Sequence, residues 1–323
     1  MSDLARWLDR QLEKTAPPAQ LRRSFGARDL DLRGTSDDEL HELSWALGEP
    51  RFVDDVVEYR VLGDALRSAP VPRASECGPY GVISTLGGTG WRACIDVDNG
   101  RLLALHREAR VALSSSLTEE PPRHQAEFAR TLLHWLAIDA GHLLVHAGAV
   151  GRSGRAVLVV GPGGAGKSTF VRCAAGAGAT FLGDNAIEVA VAGDRVTAWG
   201  AYGSLKVRPP MAMAEALALE FRAHDVDIAK DLYDLRNYSA LGITHEAVAV
   251  VAASADGPLS PEPMSRGAAL FSVAPSTMVQ FPLYGPEVFE TCGDLVRALD
   301  CFSLGRLDSV ADHGRVLDEL LGS

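Results

Sequence analysis

The sequence predicts an α/β fold with a mixed sheet for residues 121–323, preceded by an α+β region over residues 1–120. Three observations predict it. A glycine-rich segment joins an apolar, strand-like run to a helix-like run. Hairpin-like pairs interrupt the alternation of strands and helices that follows, which favours a mixed sheet over a parallel one. The first 120 residues change from helical spacing to short β-like runs instead.

Composition narrows the class of protein. The chain has 323 residues, of which 47% are hydrophobic, so it can form one large domain or two ordinary ones and is not generally disordered. Its net charge of -11 argues against a general nucleic-acid binder or a membrane-surface protein. Its strongly apolar runs, such as residues 247–255, are far shorter than a membrane span. The charged first ten residues, and five cysteines without a CxxC pair, favour a reducing, cytoplasmic location.

The N-terminal region contains helical patterns followed by strand patterns. Residues 1–70 are expected to be mainly helical, with Leu4, Trp7, Leu8 and Leu12 at helical spacing and a second amphipathic segment over residues 37–47. β-like runs begin at Val56 and include residues 81–85, and a hairpin is expected from 91–97 and 102–106 around the turn at 98–100. No group of residues in 1–120 indicates a particular chemistry.

The C-terminal region alternates more densely. A helix over about residues 122–140, ending at Gly141, opens it. Strands are expected at 143–150, 156–160, 180–182, 247–253 and 302–307. Residues 187–191 and 196–199 flank a turn and predict a hairpin. Helices are expected after residue 166, ending near Gly176 and Gly178, and at 286–299 and 310–321.

The strongest functional signal is residues 161–168, GPGGAGKS, which match the phosphate-binding pattern GxxxxGK[ST]. The glycines let successive backbone N–H groups face one anion, and a helix starting at Gly166 adds the positive end of its dipole. Lys167 can bridge the β- and γ-phosphates of a nucleotide, and the Ser168 hydroxyl can bind Mg²⁺. A chance match is the alternative, but the chain has only four lysines. The phosphate-binding candidates are Gly161, Gly163, Gly164, Ala165, Gly166, Lys167, Ser168 and Thr169.

Two further residues are functional candidates because of their sequence separation from this loop. Asp184 follows the strand after the loop's helix, 17 positions beyond Lys167, so it is expected at the sheet edge beside the phosphates. There it could bind Mg²⁺ or accept a proton from an attacking hydroxyl. His146 lies 15 positions before Gly161. Taken singly, each residue favours a structural interpretation: Asp184 as a helix-cap or turn aspartate, and His146 as a hydrogen-bonded core or edge histidine.

Together, these segments resemble the C-terminal catalytic domain of bacterial HPr kinase/phosphorylase, a P-loop family related to phosphoenolpyruvate carboxykinases. The resemblance rests on His146-Ala147-Gly148, the phosphate loop and the segment FLGDNAIEV, and covers about residues 142–200. It implies that Lys167 and Ser168 hold ATP and Mg²⁺. It also implies that Asp184 and Asn185 face the metal and the acceptor hydroxyl, and that His146 lies beside the transferring phosphate.

The sequence departs from this family in two places. The second aspartate of the family's pair is Asn185, which cannot act as a base and binds metals more weakly; this puts the reverse, phosphorylase reaction in doubt. The family's glycine-centred substrate loop is also not evident over residues 199–209, which argues against HPr as the substrate. The chain looks more like family members from peptide natural-product pathways, including those that phosphorylate a serine of a lasso peptide.

Further candidates for substrate or phosphate contact are Asn185, Glu188, Lys206 and Arg208. Lys206 with Arg208 could hold a phosphate or an acidic substrate, and so could Lys230; ordinary surface positions are the alternative.

The leading hypothesis is therefore an ATP- and Mg²⁺-dependent kinase that phosphorylates a hydroxyl, most simply a serine, of a peptide or protein. One alternative is a kinase for a small-molecule alcohol or amino acid, with residues 1–120 forming the acceptor pocket. The other is a non-catalytic nucleotide-binding regulatory module, which Asn185 suggests. The sequence leaves a homo-oligomer open.

Overall fold

The computed structural model describes residues 2–62, 70, 77, 81–83, 86–96, 101–116, 127, 129–207, 219–225, 229–280 and 286–322. By its internal contacts the chain divides into two compact units. The first comprises Met1–Ser24, Arg28–Trp45 and Glu49–Leu132, and the second Phe25–Ala27, Ala46–Gly48 and Leu133–Ser323. The sequence set the boundary near residue 120, and the observed division follows Leu132. In the described residues, no helix is long and apolar enough to cross a membrane.

The first unit is built on a six-stranded sheet with the order β1-β2-β3-β6-β5-β4. Its helices are α1 (Asp3–Leu12) and α2 (Asp37–Ser44). Its strands are β1 (Ala19–Phe25), β2 (Arg28–Gly34), β3 (Val56–Val61), β4 (Trp91–Asp96), β5 (Arg101–His106) and β6 (Val111–Ser116). Leu4, Trp7 and Leu8 of α1 pack with Trp91 and Leu102 in one apolar core. The helical spacing that predicted α1 is therefore the spacing of its buried face.

The prediction of mainly helical structure over residues 1–70 was wrong for residues 19–34, which form β1 and β2, whereas β3 begins at Val56, where β-like runs were predicted to start. Charged residues in β1 and β2 obscure the alternation of apolar and polar residues that would predict a strand. Arg22 Nε lies 3.1 Å from Asp29 Oδ2, so these charges on β1 and β2 satisfy each other within the hairpin. The hairpin of β4 and β5 is confirmed: the strands are antiparallel, with Asp96 opposite Arg101.

The second unit is built on a nine-stranded mixed sheet with the path β10-β8-β9-β16-β12-β11-β7, to which β18 and β17 add beside β16. Its helices are α3 (Arg130–Asp139), α4 (Lys167–Gly176), α5 (Arg266–Gln280), α6 (Pro286–Ala298) and α7 (Val310–Leu321). Its strands in this sheet are β7 (Leu143–Val145), β8 (Gly148–Arg152), β9 (Arg155–Val160), β10 (Thr180–Gly183), β11 (Ile187–Ala192), β12 (Arg195–Gly200), β16 (His245–Ala253), β17 (Glu262–Pro263) and β18 (Asp300–Leu304). A separate sheet holds β13 (Ser204–Val207), β14 (Glu220–Asp225) and β15 (Lys230–Asp234) in the order β13-β15-β14.

Helices cover both faces of the large sheet. One core joins it to α5 and α6 through residues such as Val273 and Leu295, and the other joins it to α4 and α7 through Val171 and Leu317. Residues 156–160 of β9 are all buried for this reason, and β9 reads as a continuous apolar run. The predicted α/β architecture with a mixed sheet is what the second unit has.

Several predicted elements are confirmed. The hairpin of β11 and β12, the strands β9 and β16 and the helices α4 and α6 lie where the patterns set them. The α7 helix has the predicted bounds because Ser309 caps it: its Oγ accepts the Asp312 N–H at 3.1 Å, and Gly322 ends the helix with φ +70°. The sequence missed α5 and the small sheet of β13, β14 and β15.

The expected single strand over residues 143–150 was wrong. Two residues, His146 and Ala147, separate β7 from β8, although these strands lie far apart in the strand order. The large sheet must therefore curl until its two ends approach. Gly200 at the end of β12 shows the same closure, because a Cβ there would lie 1.7 Å from the Leu182 oxygen of β10.

Some predictions fall outside the described residues. These are residues 122–126 and 128 of the helix expected over about 122–140, the turn at 98–100, and residues 84 and 85 of the expected strand at 81–85. That helix begins later than predicted: Ala129 has φ +54°, and α3 starts at Arg130. The described part of that last strand, 81–83, makes only isolated bridges, such as Val82 with Cys94.

Candidate functional site

Three chain segments meet at one edge of the large sheet. β8 is antiparallel to both β9 and β10, so β9 and β10 end at the edge where β8 begins. The phosphate loop follows β9, Asp184 follows β10, and His146 and Ala147 precede β8. The pairing of Gly148 with Val159, and of Ala149 with Gly183, fixes this alignment. The topology therefore brings the three predicted elements of the site together.

The phosphate loop has a backbone that only glycine adopts readily. Gly161, Gly164 and Gly166 have φ values of +132°, +83° and +108°. Among the described residues, a Cβ on Gly164 or Gly166 would meet no atom within 4 Å, so none of those residues covers the loop there. The loop then enters α4, whose first-turn N–H groups have no partner within the helix. This is an anion-binding geometry, and it fits the phosphates of a nucleotide.

Lys167 is the buried cation of the loop, with 6% of its surface exposed. Its Nζ donates to the carbonyl oxygens of Gly161 at 2.9 Å and Pro162 at 3.2 Å, so the ammonium bridges the loop from inside. Burial lowers the pKa of Lys167, the Lys230 charge lowers it further, and the Asp184 carboxylate opposes both. A bound anion would stabilise the charged form of this lysine.

The remaining loop residues differ in their exposure to solvent. Gly163 and Gly164 are exposed, Ala165 is buried beneath the loop, and Ser168 and Thr169 are half-buried in the first turn of α4. Among the described residues, no group of three His, Cys, Asp or Glu could hold a metal ion by itself. A Mg²⁺ ion would then rely on Ser168 and Asp184 together with phosphate oxygens and water, the ligand set it uses in nucleotide sites.

Asp184 is the buried carboxylate of the site, with 2% of its surface exposed. Its charge acts on Lys167, which puts the two groups within electrostatic reach of each other. Gly148 makes room for this arrangement: a Cβ there would lie 2.8 Å from Val171 Cγ1 and 3.6 Å from Asp184 Oδ1. Any larger residue at 148 would therefore displace the Val171 side chain or the α4 helix that carries it.

His146 lies in the bend between β7 and β8 and is 8% exposed. The bend is held in two ways: the Ala147 N–H donates to the Val145 oxygen at 3.0 Å, and the His146 N–H donates to Thr277 Oγ1 at 3.2 Å. Thr277 belongs to α5 and is fully buried. Sequence reasoning missed Thr277, because it lies 131 residues from its partner.

No protein-family model matches the chain, and no curated protein sequence matches it. Among solved structures, the Hpr(Ser) kinase/phosphatase from Coxiella burnetii matches at 12% identity and a TM-score of 0.30, covering 55% of this chain and 87% of that one. A TM-score this low does not establish a common fold. The chemistry of this chain rests on its own residues.

Asn185 follows the carboxylate in a left-handed backbone conformation, with φ +73°. Asparagine adopts this region more readily than most residues. The side chain is half-buried, and its amide can orient a ligand but cannot take up a proton.

Glu188 is completely buried, and its carboxylate holds two other groups of the second unit. Oε1 lies 2.7 Å from His142 Nδ1, and Oε2 accepts the Ala27 N–H at 2.9 Å. The Trp199 ring stacks on His142, with 5.3 Å between the ring centroids. These contacts indicate a structural role for Glu188, because its carboxylate holds the His142 ring and the Ala27 backbone.

The lysines of the small sheet lie on β13 and β15. Lys206 is paired opposite Leu232, which puts Lys206 and Lys230 on the same face of this sheet. Both are half-buried. Arg208 lies outside the described residues.

Proposed function

We propose that this chain is an ATP- and Mg²⁺-dependent phosphotransferase that moves the γ-phosphoryl group to a hydroxyl, with a serine of a peptide or protein as the acceptor. One observation carries the proposal: a glycine-rich anion loop with a buried lysine and a buried carboxylate occupy the same sheet edge, within electrostatic reach of each other. Burying the charges of Lys167 and Asp184 costs free energy, which a turn with only a structural role gives no reason to spend.

Each residue has a separate task in this proposal. The N–H groups of the loop and of the first turn of α4 bind the phosphates, and Lys167 bridges their terminal oxygens. Ser168 and Asp184 would hold Mg²⁺. When bound, this ion neutralises charge on the phosphate oxygens. The loop and helix thus orient the nucleotide, and Asp184 faces the acceptor.

The transfer step balances without any further reactant. The acceptor hydroxyl oxygen forms a bond to the γ-phosphorus while the bond from that phosphorus to the β–γ bridging oxygen breaks, and ADP leaves with the electron pair. Asp184 accepts the hydroxyl proton. Asn185 cannot share this role, so a single carboxylate acts as base. His146, held at the same edge by Thr277, is available to contact the transferring group.

The test uses purified protein with Mg-ATP and short serine-containing peptides, including those encoded beside its gene. Mass spectrometry should find a phosphopeptide with wild type and none with Lys167→Met, which should also lose ATP affinity in calorimetry. Phosphorylation of small alcohols but of no peptide would assign the small-molecule alternative. ATP binding without transfer to any acceptor would make the chain a regulatory module.

A further inference from the structure

The helix α5 turns an uncharged, apolar face toward solvent. Its inner face packs on the large sheet through residues such as Ala269 and Val273. The outer face is made of exposed apolar residues spaced three or four positions apart: Ala268, Phe271, Pro275, Met278 and Val279. Phe271 is 78% exposed and Val279 66%. A surface helix ordinarily carries charged residues on this face, but residues 267–280 contain none.

The C-terminal end of α5 lies at the sheet edge that carries the candidate site. Thr277 Oγ1 accepts the His146 N–H at 3.2 Å, and His146 lies in the bend at that edge. Met278 and Val279 follow Thr277 directly in the helix and are exposed. The apolar face of α5 therefore reaches the edge where the phosphate loop and Asp184 lie.

The start of α6 adds an exposed aromatic side chain toward the same edge. β18 is parallel to β16, and β16 is parallel to β9, so β18 begins at the edge opposite the phosphate loop. α6 ends at Ala298, just before β18, and its 13 residues span about 20 Å, so its first turn points to the site edge. Phe289 belongs to that turn and is 46% exposed. We refer to four residues as the apolar patch: Phe271, Met278, Val279 and Phe289.

The chemistry of the apolar patch selects its partner. Exposed apolar patches of this kind mark interaction sites, and this one offers no ionic contact. A second copy of the chain would bring another net charge of -11 to the surface, and like charges repel. A peptide or protein acceptor must be held beside the phosphate site while its hydroxyl reacts, and the patch is continuous with that site. The observations therefore favour an acceptor with apolar side chains.

The length of the patch sets the spacing of those side chains. Phe271 precedes Thr277 by six residues, which is about 9 Å along the axis of α5. An extended peptide covers this distance with about three residues, and a helical peptide covers it with about six. The apolar side chains of the acceptor should therefore lie about three to six positions from the reacting serine.

We propose that the apolar patch is the docking surface for the acceptor, and that it binds apolar side chains of a peptide or protein and so places the serine at the phosphate site. The inference rests on the proposed phosphotransferase function and adds the substrate class to it. The patch takes no part in the transfer step. It acts by burying apolar surface of the acceptor, which increases affinity without changing the chemistry.

The experiment uses synthetic peptides that contain one serine and two leucines at this spacing, and matched peptides with glutamines in place of the leucines. With wild type, the KM of the leucine peptides should be lower by roughly 10-fold or more. The double variant Phe271→Gln with Val279→Gln should lose this difference but keep the wild-type kcat and ATP affinity. Its melting temperature should stay close to wild type, because both side chains are exposed.

Ile243→Gln is the matched control. Ile243 is 56% exposed and precedes β16, so it lies at the edge opposite the phosphate loop. Replacing it removes an exposed apolar side chain of similar size away from the patch. The variant should retain the wild-type preference for leucine peptides.

Three outcomes would overturn the inference. An equal KM of wild type for leucine and glutamine peptides shows that the patch binds no acceptor, and this comparison does not depend on the folding of any variant. A wild-type dimer in light scattering that the double variant converts to monomer, with peptide KM unchanged, shows an interface between copies of the chain. Both results leave peptide phosphorylation intact. If wild type phosphorylates no peptide at all, the proposed function fails and the inference fails with it, so the two failures are distinguishable.

Discussion

Replacing Asp184 with asparagine tests the proposed chemistry most directly. The substitution keeps the size of the side chain and removes one negative charge from a group that is 2% exposed. Loss of a positioned general base slows a reaction by about 100- to 10,000-fold, which corresponds to about 3–5 kcal/mol of transition-state stabilisation. ATP binding without Mg²⁺ should persist, because the loop N–H groups and Lys167 are unchanged.

The assay combines two measurements on Asp184→Asn. Initial rates of ADP release with a phosphorylated acceptor give the transfer rate, and calorimetry gives the ATP dissociation constant with and without Mg²⁺. A drop in rate at nearly constant affinity for ATP without Mg²⁺ identifies an interaction made in the transition state, and a loss confined to ATP binding with Mg²⁺ reports the metal-binding role of Asp184. Asp194→Asn is the matched control, since Asp194 lies exposed in the turn between β11 and β12. Turnover of Asp184→Asn within about twofold of wild type would refute the role of this carboxylate.

Three further predictions concern the packing around the site. Gly148→Ala puts a Cβ 2.8 Å from Val171 Cγ1, so urea denaturation should show a loss of about 1–3 kcal/mol in the free energy of unfolding. Gly26→Ala puts a Cβ 2.1 Å from Glu188 Oε2 at a residue with φ +61°, and the same assay should show a loss of at least about 1 kcal/mol. Burial lowers the pKa of His313 below the ordinary histidine value of 6.5, so the fold favours the neutral ring. Its contribution to stability is complete above pH 6.5 and is lost as the pH falls through the lower folded pKa, and His313→Gln should flatten that dependence in denaturation series between pH about 7.5 and about 5.5.

Two of these predictions have a control variant in the chain. Gly193→Ala shares the left-handed backbone of Gly26, with φ +66°, but its Cβ would meet no atom within 4 Å. It should therefore cost only the backbone strain, and an equal loss in both variants would contradict the clash with Glu188. His41→Gln removes an exposed histidine of α2 and should leave the pH dependence unchanged. A wild-type denaturation midpoint in Gly148→Ala would contradict the close packing of β8 on α4.

The parts of the molecule that the sequence predicted are those with local causes. The phosphate loop is contiguous, and its glycines adopt their positive φ angles within one turn of chain. The α7 helix carries its own cap at Ser309 and its own stop at Gly322. In both cases the residues that determine the structure lie within a few positions of each other, so pattern and spacing were sufficient.

The parts that the sequence did not predict depend on distant partners. The charges on β1 and β2 obscured a strand pattern that only their pairing explains, as between Arg22 and Asp29. The bend at His146 is held by a hydrogen bond to Thr277 on α5. The sequence around residue 146 contains no pattern that predicts this distant contact.

The direction of one strand decides whether the site exists at all. In a parallel sheet, residues that precede a strand lie at the opposite edge from residues that follow one. β8 is antiparallel to β9 and β10, so its start coincides with their ends. That reversal puts His146, the phosphate loop and Asp184 on a single edge. The antiparallel pairing of β8 with β9 and β10 is therefore the structural requirement for the proposed chemistry, and a parallel arrangement of the same strands would separate His146 from the other two.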